Sequence, residues 1–372
     1  MNHLELFSGI GGFRQAMKCI EEDYGFNFNC VGFSEINAAA IKTYCANYDT
    51  SNEVAMGDIV SFVSNENKVR SLKFDLLTGG FPCQSFSMMG QQKGFEDDRG
   101  TMFFQILKLL SIKKKQRALP NFIILENVKH LLTHDKGNTF AVIKSKLEEL
   151  GYSVYYDIFN SNNFYLAQKR NRIIIVALKR RINKKSFSFN ENLVRECFVS
   201  NIQNAKSLLL QTSVADILET EVLQKYYLSD RLKPTILADG SKSFKSKSEI
   251  NQLIARPLTA TMHKMHRACQ DNYYSDGFIH ASNKEDYLLT KFSKEELAQQ
   301  QIRRITPEEA FMLQGFHRNF VENARLKGVS DTSLYMQAGN AVSVNVIYSV
   351  LLYLIKCNIT TVPLKWTNRS LN

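Results

Sequence analysis

An α/β protein with a mostly parallel, doubly wound sheet and a second, smaller, loop-rich domain is what this 372-residue sequence predicts. Three observations carry the prediction. Short apolar runs alternate with amphipathic stretches of helix length through residue 178, the pattern of strands covered on both faces by crossover helices. Glycines and acidic residues fall at the ends of those runs, where open α/β sheets hold their ligands. Beyond residue 178 the periodicity fades and Lys, Ser, Asn and Gln become frequent, until helical pattern returns near the C-terminus.

The first run, residues 3–8 (HLELFS), breaks into Gly9, Gly11 and Gly12 and leads into a helical pattern through Ile20. Strand, tight turn and helix follow in that order. Residues 30–35 (CVGFSE) form a second strand ending in Glu35, and 36–48 the next helix. Residues 74–80, 122–126 and 173–178 are further buried strands, with helices at 103–114 and 139–150. Late in the chain, Thr-Pro-Glu-Glu at 306–309 caps a helix over 306–314. Residues 342–356 are apolar nearly all round, and this last helix is expected to return over the sheet beside the first strand. The domain division expected is 1–178 completed by 330–372, with 179–329 as the recognition domain and its hinge.

Composition narrows the class. Apolar residues at 44% and charged residues at 22% are globular values. No window approaches 18 uninterrupted apolar residues and no basic-then-apolar leader is present, so a soluble cytoplasmic protein is expected. The seven cysteines are odd in number and scattered, which signals neither a disulfide framework nor a zinc site. The net charge is +11, and nine of the eleven excess positive charges lie after residue 178. A solvated basic surface and a polyanion-binding C-terminal half both fit that distribution.

The glycine turn lets backbone approach a ligand at a helix N-terminus. Its G-x-G-G spacing differs from the dinucleotide pattern. Glu35 is placed to accept hydrogen bonds from ribose hydroxyls, and Asp58 could hold an adenine amino group. Together they indicate a nucleoside cofactor of unspecified kind. Cys83 follows Pro82 at a strand tip among Gly, Gln and Ser. Glu126 ends another strand at the same edge, and Gln168, Arg170 and Arg172 share one face by alternation as the chain enters the next.

The ordered set LFSGIGGF, GGFPCQSFS, ENV, QKRNR, IRRITPEEAFMLQGF and QAGNAVSVNVI closely resembles the DNA (cytosine-5) methyltransferases of bacterial restriction-modification systems, outside roughly 179–301. The resemblance implies a methyltransferase fold that uses S-adenosyl-L-methionine and no metal, with a flipped cytosine and Cys83 as nucleophile. The chemistry asks for the same residue types. Thiolate addition at carbon 6 makes carbon 5 an enamine carbon, and a carboxyl at N3, Glu126, accommodates the charge that results. Arg172, with Arg170 nearby, would hold the cytosine carbonyl oxygen and a flanking phosphate. The cofactor positions it implies are Phe7, Gly9, Gly11, Gly12, Glu35, Asp58, Ile59, Pro82 and Asn340.

Residues 85–100 read as a lid over the extruded base, with Gln84 and Ser87 meeting DNA. In the recognition segment, Arg256, Thr259 and Lys264 are the candidate DNA contacts, amid basic and aromatic residues. Arg303 and Arg304 either touch the DNA backbone or support their own domain. His263 and His266 lack the further ligands a metal would need. The expected protein is a monomeric enzyme on double-stranded DNA, with a cognate endonuclease acting separately. A transfer-RNA methyltransferase of the same family and a catalytically silent DNA-binding regulator are the rivals.

Overall fold

The computed structural model describes residues 1–82, 102–180, 187–240, 246–357 and 359. Seven strands build the central sheet: β1 (Asn2–Leu6), β2 (Asn29–Ser34), β3 (Val54–Ala55), β4 (Leu76–Gly80), β5 (Phe122–Val128), β6 (Tyr152–Asn160) and β7 (Asn171–Lys179). Their spatial order is β3-β2-β1-β4-β5-β7-β6. The β1–β2, β1–β4, β2–β3 and β4–β5 pairs are parallel, whereas β7 runs antiparallel to both β5 and β6.

The reversal at β7 follows from chain length. Only residues 161–170 separate β6 from β7, too short for the helical crossover that parallel neighbours require. Its consequence is positional: an antiparallel strand starts where its parallel neighbours end. Arg172, at the start of β7, therefore lies opposite Val128, at the end of β5.

The strands form because their side chains are buried on both faces. Leu4 and Leu6 of β1, with Ile123 and Leu125 of β5, pack into one core with the helices Ile59–Ser64, Met102–Lys115 and Asn138–Glu149. Ile124 of β5 and Ile174 and Val176 of β7 pack into the other, with the helices Gly12–Tyr24, Ala38–Asn47 and Val344–Lys356. As expected, the last helix covers the face beside β1, and Tyr348 donates a 2.7 Å hydrogen bond to Asp23. The apolar span Asp331–Lys356 is long enough to cross a membrane, but 83% of its most apolar window is buried inside the molecule.

Two strands of the central sheet escaped the sequence. β3 is only two residues, and β6 (YSVYYDIFN) carries an alternating pattern of mixed polarity. Among residues 187–306 the elements are short, with one two-stranded sheet of β8 (Tyr273–Ser275) and β9 (Ile302–Arg304). Leu228, Ile236, Ile250, Tyr273 and Ile302 make a small separate core there.

Candidate active site

The C-terminal ends of β1, β2, β4 and β5 and the N-terminal end of β7 open on one cleft of about 700 Å³. At its first wall, Phe7 and Gly9 adopt left-handed backbone (φ 53° and 55°), turning the chain from β1 toward the helix. Among the described residues nothing lies within 4 Å of where a Cβ on Gly9 would stand. Glu35 is locked in place: its Oε2 accepts from Gly9 N at 2.9 Å and its Oε1 from the amides of Ile36 and Asn37 at 2.8 Å. A carboxylate so anchored keeps lone pairs for a pair of hydroxyls. Asp58 caps the helix Ile59–Ser64 through Val60 N and also borders the cleft, as do Ile59 and Pro82. Asn340 ends the helix Asp331–Asn340 and faces the cleft from the opposite side.

Gly11 and Gly12 serve packing. A Cβ on Gly11 would lie 2.5 Å from the Tyr48 ring, and one on Gly12 2.7 Å from the Val342 carbonyl oxygen. Gly12 still borders the cleft, whereas Gly11 does not. Its glycine keeps the aromatic pair Tyr44 and Tyr48 close to the turn.

Across the cleft, Glu126 is 8% exposed and its Oε1 lies 2.9 Å from Arg172 Nε. Burial raises its pKa above the ordinary carboxylate range, and Arg172 and Arg170 pull it back. A carboxyl so placed keeps its proton to higher pH than an ordinary carboxylate and can give it to a ring nitrogen. Gly80, without a side chain, leaves room: a Cβ there would stand 3.3 Å from Glu126 Oε2. Cys83, Gln84 and Ser87, with the rest of the expected lid, lie outside the described residues.

The three residues of the QKRNR alternation do not act together. Arg172 meets Glu126. Gln168 is wholly buried, donating to Leu313 O and accepting from Leu258 N. Arg170 is 1% exposed and donates to the carbonyls of Leu258, Gly339 and Ala341 at 2.9–3.0 Å. Arg170 therefore corrects the expectation of a group held for phosphate: its two terminal nitrogens are spent on three buried carbonyls. It ties β7 to the Leu258 segment and to the turn after Asn340.

That junction sets residues 258–260 beside the cleft. Gly339 lies so close to the Thr259–Ala260 peptide that a Cβ would come within 2.2 Å of it. Ala260 borders the cleft, and Thr259 and Lys264 are exposed. Arg256 is half-buried, with Nη1 on Glu249 O at 3.0 Å. Arg303 is a correction. It is wholly buried, paired with Glu309 through both terminal nitrogens at 2.7 and 2.8 Å. It supports the structure around the helix Pro307–Met312 and does not face solvent, in line with the structural one of the two readings of the sequence.

The sequence missed the helix Asp331–Asn340, whose Ser333, Met336 and Gln337 border the cleft, and it assigned nothing to Asn127. The capping serine Ser330 before Asp331 was the available signal for the helix. Among the described residues no group of three or more His, Cys, Asp or Glu could hold a metal.

Solved methyltransferases share this fold. The S. pombe Dnmt2 methyltransferase matches with a TM-score of 0.69 at 20% identity, over 96% of this chain and 99% of that one. The Entamoeba histolytica methyltransferase EhMeth matches at 0.67 and 20%, over 96% and 98%. The architecture is thus that of an α/β methyltransferase, with its ligand cleft at the carboxyl edge of the sheet. Residues 1–356 match the model of the C-5 cytosine-specific DNA methylases, and the chain belongs to that family. The type II methyltransferase M.SsoII of Shigella sonnei is 37% identical over 93% of this chain and 78% of its own length. M1.ScrFI of Lactococcus lactis subsp. cremoris is 36% identical over 93% and 76%. The activity is that of a DNA cytosine-5 methyltransferase.

Proposed function

We propose that this enzyme methylates one cytosine within a short specific site of double-stranded DNA, by way of a covalent bond between Cys83 and carbon 6 of the flipped base. The observation that carries the reading is the buried Glu126–Arg172 pair, which borders the same cleft as Gly80, Phe81 and Pro82, the residues that precede Cys83 in the sequence.

The cleft fits a nucleoside cofactor: an anchored acidic group at Glu35, open space over Gly9, and Asp58 and Asn340 on its walls. S-adenosyl-L-methionine bound there would supply an electrophilic methyl group. The residues of the chain do the rest. The Cys83 thiolate bonds to carbon 6, and the displaced electron pair moves through the ring to N3. Glu126 gives N3 a proton, and Arg172 holds the base oxygen. With carbon 5 methylated, its proton leaves to water or hydroxide. The sulfur–carbon bond then breaks and N3 returns its proton. An unperturbed thiol, with a pKa of about 8.5, is only a few per cent thiolate at neutral pH, so a neighbouring cation or the substrate itself must assist the attack.

The type II relatives support a place in a restriction-modification system, beside an endonuclease acting separately on the same site. The protein would act as a monomer in the bacterial cytoplasm. Duplex containing 5-fluorocytosine, incubated with enzyme and methyl donor, should trap the chain through residue 83. Absence of the adduct overturns the mechanism. Labelled methyl transfer to duplex DNA and not to transfer RNA separates the nearest alternative. Cys83→Ala should abolish methylation while DNA binding persists, which excludes a silent regulator.

A further inference from the structure

The edge of the sheet opposite the cleft carries a net positive patch. Residues 66–75 and 108–117 hold eight Lys and Arg against two acidic residues. These stretches meet in space: Glu66 lies within electrostatic reach of Lys108 and Lys115, Lys113 of Lys73, and Lys113 Nζ donates to Val69 O and Arg70 O. Lys113 is buried and caps the carbonyl of Leu72 at 2.6 Å. Lys68, Lys73, Lys108, Lys115 and Arg117 are exposed, and none of the five forms an ion pair among the described residues.

The patch is separate from the cleft. Met102 borders the cleft and begins the helix whose other end is Lys115. Thirteen residues at 1.5 Å each place the two ends about 20 Å apart along the helix axis. A duplex seated in the cleft at the carboxyl ends of the strands cannot also lie on the amino ends. Five unpaired cations repel one another, and a polyanion relieves that repulsion while releasing its own counterions.

We infer that this edge binds a second segment of duplex DNA, so that one chain bridges two segments. The inference builds on the DNA substrate but not on the covalent mechanism. The test uses the full-length enzyme on beads bearing one duplex, with capture of a fluorescent second duplex as the readout. The parent should capture it, with a log–log salt slope of about −4.5 for five phosphate contacts. Combining Lys108→Glu, Lys115→Glu and Arg117→Glu should reduce capture at least about tenfold. Methylation of a short duplex should stay within about twofold. The same three positions changed to Gln should give an intermediate loss, which controls for any folding defect of the reversed charges. Undiminished capture by both variants, or no capture by the parent, overturns the inference. Loss of methylation in the parent would instead overturn the catalytic reading and leave the capture result to stand alone.

Discussion

The side-chain amide of Asn127 donates a 2.8 Å hydrogen bond to the carbonyl oxygen of Phe81, joining the tip of β5 to the turn that leaves β4. Asn127 is 4% exposed, and its own oxygen accepts from Val128 N. One residue past Glu126 thus holds the chain two residues before Cys83. The acid-bearing strand end and the turn at Phe81 are joined through one neutral amide.

Asn127→Ala removes a buried hydrogen bond to the Phe81 carbonyl, at about 0.5–1.5 kcal/mol. Methyl transfer in a single turnover should slow by about tenfold or more, while affinity for the methyl donor stays constant. An unchanged rate would remove Asn127 from the positioning of this turn.

Glu126→Ala should lower kcat by about 10² to 10³, as for loss of one donor to a developing charge. The pH dependence has a definite sign. Burial raises the Glu126 pKa, so its protonated form survives above the usual carboxylate range and is lost as pH rises through the raised value. Donation to N3 should fall off on that side. A single-turnover profile whose carboxyl limb sits at an ordinary, unshifted position would contradict this.

Arg170 and Arg172, two residues apart, should separate in their effects. Arg170→Lys cannot serve three carbonyls and should lower the melting temperature by an amount equivalent to roughly 2–4 kcal/mol. Arg172→Lys should melt near the parent and lose turnover instead. Thermal denaturation alongside methyl transfer checks both.

Glu309→Gln strands the buried Arg303 guanidinium without its carboxylate, a loss of about 3–5 kcal/mol. The salt dependence of DNA binding by the folded variant should match the parent. Lys264→Ala should do the reverse, leaving stability intact and, if it meets a phosphate, reducing the salt slope by about 0.9. A flattened slope in Glu309→Gln would return Arg303 to the DNA face.

Much of the catalytic half was legible in the sequence because its strands are buried on both faces. A strand such as 122–126 must then be continuously apolar, and a polar residue at its end, Glu126, stands out. Positive φ at Phe7 and Gly9 and capping at Asp58 are likewise local properties. β6 was not legible, because an edge strand packed mainly on one side tolerates mixed polarity. The segment 187–306 was not legible either, because its short elements have no period to detect.

The amino-acid order by itself determined the strand–helix alternation, the chemistry gathered at the strand ends and the family. Only the tertiary structure decided which cations stay in water. Arg170 and Arg303 look no different in sequence from Arg256 or Lys264, yet partners 88 to 171 residues away and the Glu309 carboxylate take the first two out of solvent. A buried charge must be paired, and the groups that pair it come from wherever the fold brings them. The antiparallel entry of β7, a matter of connection length, is what sets Arg172 beside Glu126.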